Sequence, residues 1–173
     1  MKHLSFVLLI AFILNAGSSF GQLASESNSL VWYTDLVLAN EVSKATNKPI
    51  FASFTGSDWC GWCRKLQAEV FSKPAFINWA KEKVILLELD FPHQKQLPPD
   101  LVQQNNSLQN AFKVQGFPTV WFFFMTKNDT TNNYIISPLG STGYPSGAEP
   151  GKEEVKFIQN AEIILANKSS NTK

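Results

Sequence analysis

Trp59-Cys60-Gly61-Trp62-Cys63-Arg64-Lys65 decides how the chain is read. It holds both cysteines of the protein, two residues apart. The apolar run Pro49-Ile50-Phe51-Ala52-Ser53-Phe54 before it reads as a strand, Thr55–Asp58 as a turn, and Arg64–Val70 after it as a helix. A Cys-x-x-Cys at a strand-to-helix junction reads as a dithiol redox site. The spacing brings both sulfurs into the first helical turn, close enough to form a disulfide. The first cysteine can then sit where unpaired backbone N–H groups and the positive end of the helix dipole stabilise a thiolate. Other uses of the pair fit less well. A structural zinc site needs about four ligands, and only His3 and His93 could join the cysteines. Covalent haem attachment needs a histidine directly after the second cysteine, where Arg64 stands. A purely structural disulfide would close a very short loop and constrain the unfolded chain little.

Outward from this stretch, the composition bounds the protein. Its 173 residues are 44% apolar with a net charge of +1. That suffices for one core, and gives no reason to expect nucleic acid or an anionic membrane as partner. Lys2-His3, the apolar run Leu4–Leu14 and the small residues Ala16, Gly17, Ser18, Ser19 and Gly21 match a secretory signal peptide over residues 1–21. Gly17 is a rival cleavage point. The apolar run is short for a membrane span of ~20 residues, although an uncleaved anchor is the alternative. Export would place the cysteines in an oxidising compartment. Residues 22–30 read as a flexible mature N-terminus, 31–167 as one domain, and 168–173 as a polar tail.

Within the domain, Val31–Tyr33 reads as a short strand and Asp35–Thr46 as a helix ended by Lys48-Pro49. Pro74–Lys81 reads as a helix, Lys83–Asp90 as a strand, and Asp100–Val114 as a helix frayed across its polar middle, Gln103–Ser107. Val120–Met125 reads as a central strand, Lys127–Asn133 as a hairpin loop, Tyr134–Ile136 as the start of the partner strand, Leu139–Gly151 as a loop, and Lys152–Ala166 as the closing helix. The alternation implies an α/β fold with a mixed central sheet and helices on both faces.

The run from Lys48 to Cys63, together with Phe117-Pro118-Thr119, resembles the active-site region and cis-proline loop of thioredoxin-like proteins. The resemblance extends over roughly Trp32 to Leu165. It is closest to exported bacterial members and to the C-terminal domain of disulfide-interchange reductases, which share the Lys-Pro lead-in and the phenylalanine after the active-site helix, here Phe71. It implies a thioredoxin-like fold, Cys60 as attacking and Cys63 as resolving thiol, Pro118 as a cis-proline facing the disulfide, and Phe117 in contact with substrate. The implied function is thiol–disulfide exchange with exported protein clients, with reduction or isomerisation favoured over oxidation. An unidentified redox partner would recharge the site, in a periplasmic or extracellular monomer that needs no cofactor and no metal.

Two departures qualify the resemblance. Thioredoxin buries an acid beneath its second cysteine; the matching position here is Ser53, and the position of its partner lysine is Leu86. The proton acceptor for Cys63 is therefore missing from its usual place, and Asp58 and Glu88 read as solvated or loop residues. Trp62 stands between the cysteines, where proline or histidine is more familiar. With Trp59, Phe117 and Trp32 it could form an apolar lip that grips extended clients, whereas Trp79 and Trp121 read as core. The rival function is a chaperone or client-binding module in which the disulfide is a fold staple.

Overall fold

The computed structural model describes residues 29–128, 130 and 133–167. The expected signal peptide, most of the flexible N-terminus and the polar tail lie outside the described residues. The elements run β1 (Trp32–Tyr33), α1 (Leu36–Thr46), β2 (Ile50–Thr55), α2 (Gly61–Leu66), α3 (Pro74–Lys83), β3 (Ile85–Asp90), α4 (Pro99–Ala111), β4 (Thr119–Lys127), β5 (Tyr134–Gly143) and α5 (Glu153–Ala166). A wider π turn, Gln67–Phe71, prolongs α2. The strands form one sheet in the order β1-β3-β2-β4-β5. The first three are mutually parallel, β4 runs antiparallel to β2, and β5 runs antiparallel to β4.

The sheet divides the core by the period-2 alternation of strand side chains. Phe51, Leu86, Val120 and Phe122 face the layer of α2, its π turn, α3 and α5. Ile50, Ala52, Phe54, Leu87, Leu89 and Phe123 face α1 and α4. Phe51 is the centre of the first layer: Phe71, Phe76, Phe122 and Phe157 all ring it at centroid distances of 5.1–6.1 Å. The alternation also determines what lies beneath the active-site helix. Ser53 and Glu88 are register partners on neighbouring strands. They follow Phe51 and Leu86 by two residues, so they share the face covered by α2.

Two expectations are corrected. The polar middle of α4 is not frayed. Gln104 accepts from Leu36 N and donates to Thr34 O, and buried Asn105 donates to Asp90 O at 2.9 Å. At Gln104 and Asn105 polarity serves protein partners, while Gln103, Asn106 and Ser107 face water. The second correction is β5, which runs on to Gly143 through residues read as loop. It is an edge strand, so Pro138 removes no needed ladder bond. A bulge beside Gly140, whose φ is 153°, absorbs the irregularity and turns Leu139 into the core.

Candidate active site

Strand β2 ends at Thr55, and the chain turns through Gly56–Trp59 into α2. Two carboxylates hold this turn. Asp90, at the end of the adjacent strand, accepts from Ser57 N (2.8 Å) and Ser57 Oγ (2.6 Å). Asp58 accepts from the backbone N–H groups of His93, Gln94 and Lys95, tying the turn to the loop after β3. These bonds, His93's foremost, hold the Asp58 carboxyl below the usual carboxylate range. Gly56 is required by close approach: the Trp59 indole lies so tightly against it that a β-carbon would clash.

Cys60 is the N-cap of α2 and forms a disulfide with Cys63, with the Cα atoms 5.3 Å apart. Its sulfur accepts from Cys63 N–H at 3.1 Å. An N–H that would otherwise be an orphan of the first helical turn is thus aimed at Cys60, where it would stabilise a thiolate. Burial does not separate the two sulfurs, since the residues are 5% and 7% exposed; the helix-terminal hydrogen bond does. The Phe117–Pro118 peptide is cis. Pro118 lines the same cavity as Cys63, so the loop meets the disulfide region as the resemblance implies.

The aromatic residues form two flanks. On one, Trp59 (41% exposed) donates from Nε1 to Phe91 O, stacks on His93 at 4.5 Å, and lies 5.9 Å from Phe117. On the other, Trp62 (57% exposed) packs on Tyr144 at 5.1 Å, and Lys65 Nζ sits 5.1 Å from the Trp62 ring and 5.0 Å from that of Tyr144. The Tyr144 hydroxyl donates to Glu69, which raises its pKa. Trp32 packs on Phe51 and Phe71 and, half-buried, also lines the cavity that Cys63 and Pro118 line. Trp79 is core, as expected, with its Nε1 donating to Glu162; Trp121 is half-buried against Phe112.

Glu88 is half-buried. It lines a cavity of ≈ 300 Å³ with Cys63, Ser53, Thr55, Ser57, Arg64 and Pro118. Burial pushes its carboxyl pKa up, the Asp90 charge adds to the rise, and Lys95 opposes it. The sequence reading missed Tyr144 and His93 as site neighbours because both arrive from distant loops. Glu88 carried one legible signal: it is a charged residue set between Leu87 and Leu89 within β3.

The comparisons agree with this geometry. Residues 37–128 match the family model described as a thioredoxin-like domain. Disulfide bond reductase DsbH of Chlamydia pneumoniae is 40% identical over 84 residues, 49% of this chain and 51% of that protein. Thioredoxin-related protein DsbJ of the same organism is 27% identical over 139 residues, 80% of this chain and 38% of that protein. The chain thus spans about half or less of these curated relatives. A solved structure titled DsbH oxidoreductase superposes with a TM-score of 0.66 at 27% identity, covering 87% of this chain and 95% of that one. A cysteine pair capping a helix, a cis-proline beside it, a five-stranded mixed sheet beneath and a family match over more than half the length converge on one conclusion: the chain belongs to the thioredoxin-like family.

Proposed function

We propose that the protein is a thiol–disulfide oxidoreductase acting on exported protein clients in the reductase or isomerase direction. The observation that carries this reading is the Cys60–Cys63 disulfide at the start of α2, with a backbone N–H directed at the Cys60 sulfur. The name of DsbH, a disulfide bond reductase, supports the direction. The Cys60 thiolate attacks one sulfur of a client disulfide and expels the other as a thiolate. Cys63 then attacks Cys60 in the mixed disulfide, releasing the reduced client and re-forming Cys60–Cys63. Two electrons pass to the client, and an external dithiol restores the reduced pair. In this reading Trp59 and Trp62, which flank the first cysteine in sequence, contact the client together with Phe117 and Pro118 of the cis-proline loop. The N-terminal pattern supports export with cleavage after Gly21. N-terminal sequencing of the exported protein should therefore begin at Gln22, leaving a domain over 31–167.

Replacing Cys63 by serine tests the mechanism. Cys60 can still attack, because its activation comes from the helix terminus, but the intramolecular resolving thiol and its high effective concentration are lost. Cys63→Ser should accumulate reductant-sensitive complexes with clients, and Cys60→Ser should give none. Absence of such complexes, with client aggregation still suppressed by the wild type, would replace exchange by the client-binding reading.

A further inference from the structure

The exchange cycle leaves one proton to be placed. Cys63 must become a thiolate before it can attack the mixed disulfide, and an unperturbed thiol titrates at about 8.5. Resting on the proposed exchange function, we infer that Glu88 is the group that takes the Cys63 proton and later returns it.

Three observations lead to this residue. Glu88 and Ser53 are register partners, and the alternation of both strands turns them toward α2. Glu88 and Cys63 line one cavity of ≈ 300 Å³, whose other walls include the hydroxyl residues Ser53, Thr55 and Ser57. A space of that size and polarity can hold water to bridge carboxylate and thiol. The other carboxylates near the site are committed elsewhere: Asp58 to three backbone N–H groups, Asp90 to Ser57, and Glu69 to Tyr144 and Lys65. Among the cavity-lining residues, Glu88 is the carboxylate.

The charged and titratable surroundings suit the task. Arg64 from α2 lines the same cavity, Asp90 lies along the strand, and Lys95 of the following loop acts on Glu88 through its charge. Burial and Asp90 raise the Glu88 pKa, which brings the carboxyl nearer the working pH than an exposed glutamate. In the resolving step the proton moves from Cys63 Sγ to the Glu88 carboxylate. The Cys63 sulfur then bonds to Cys60 Sγ, the Cys60–client S–S bond breaks, and the client leaves as a thiolate. When a reducing thiolate later opens Cys60–Cys63 at Cys60, the leaving Cys63 thiolate recovers the proton from Glu88.

The test is rapid mixing of reduced full-length protein with 5,5′-dithiobis(2-nitrobenzoate), which releases one coloured thiolate on Cys60 attack and a second on Cys63 resolution. In Glu88→Gln the first phase should be unchanged and the second about 100-fold slower at pH 6.5, the usual scale of a lost general base. The gap should close near pH 9, where the thiol ionises unaided. Glu88→Asp, which keeps a carboxylate in the cavity, should recover much of the second phase at pH 6.5. Identical second-phase pH profiles for wild type and Glu88→Gln would overturn the inference, as would Glu88→Asp behaving like Glu88→Gln. An intact first phase shows in the same trace that the variants have folded. A wild type that releases no second thiolate at any pH would overturn the exchange function itself.

Discussion

Two acidic side chains beneath the active-site turn respond to pH in opposite senses. Asp58 is stabilised as a carboxylate by the N–H groups of His93, Gln94 and Lys95. Its folded pKa lies below the unfolded value, so its contribution is present above about pH 4 and is lost as pH falls through the folded pKa. Amide protection at residues 93–95, taken relative to the intrinsic exchange rate at each pH, should therefore fall in acid, and Asp58→Asn should show reduced protection already at neutral pH. Glu88 has a folded pKa raised by burial. Ionisation disfavours its folded state, so full stability is present below the unfolded pKa, about 4.3, and is lost as pH rises through the raised value. Glu88→Gln should therefore unfold at higher denaturant concentration than wild type at pH 7, with the difference vanishing near pH 3. Asp90 bears on packing as well as charge. Asp90→Ala leaves Ser57 N–H and Oγ without their acceptor and should cost about 2–3 kcal/mol in denaturant titration.

Single elements are held by few contacts that can be addressed individually. Helix α1 begins at Asp35, whose carboxylate accepts from Val37 N and Leu38 N, and ends at Asn47 in the left-handed conformation. Asp35→Ala should lower stability by about 1 kcal/mol, read as a fall of about 2–4 °C in melting temperature. The loop after β3 behaves as an extension of the active site. It is joined to the turn by Asp58, by the Trp59–Phe91 hydrogen bond and by the Trp59–His93 stack. Helix α4 joins the same assembly through Asn105, which donates to Asp90 O.

For the whole molecule, the sheet supports the redox pair from below through one aromatic layer. Phe51 is fully buried there, and Phe71, at the end of the π turn that prolongs the cysteine-bearing helix, packs on it at 5.6 Å. Phe51→Ala should cost about 3–5 kcal/mol, measured by denaturant unfolding. The loss belongs to the whole fold, because Phe76 from α3, Phe122 from β4 and Phe157 from α5 meet at the same ring.

The local chemistry of the chain was enough to determine the cysteine pair, the strand before it, the helix after it and the Phe117-Pro118-Thr119 loop. Each is set by residues adjacent in sequence: apolar continuity, a two-residue spacing, a proline. The same holds for α1, α3 and α5, where apolar positions recur at helical intervals. Only the tertiary structure decided what a polar residue faces. Gln104 and Asn105 looked solvated because their partners, Thr34, Leu36 and Asp90, are remote in sequence. Residues 139–143 looked like loop because an edge strand tolerates glycine that a central strand would not. Trp32 is placed by the pairing of β1 with β3, which sets it against Phe51 and at the wall of the cavity that Cys63 lines. Glu88 looked like a surface acid because its own strand does not reveal which helix covers it. The sheet order β1-β3-β2 and the register Ser53–Glu88 place it under α2, beside the cavity that Cys63 lines.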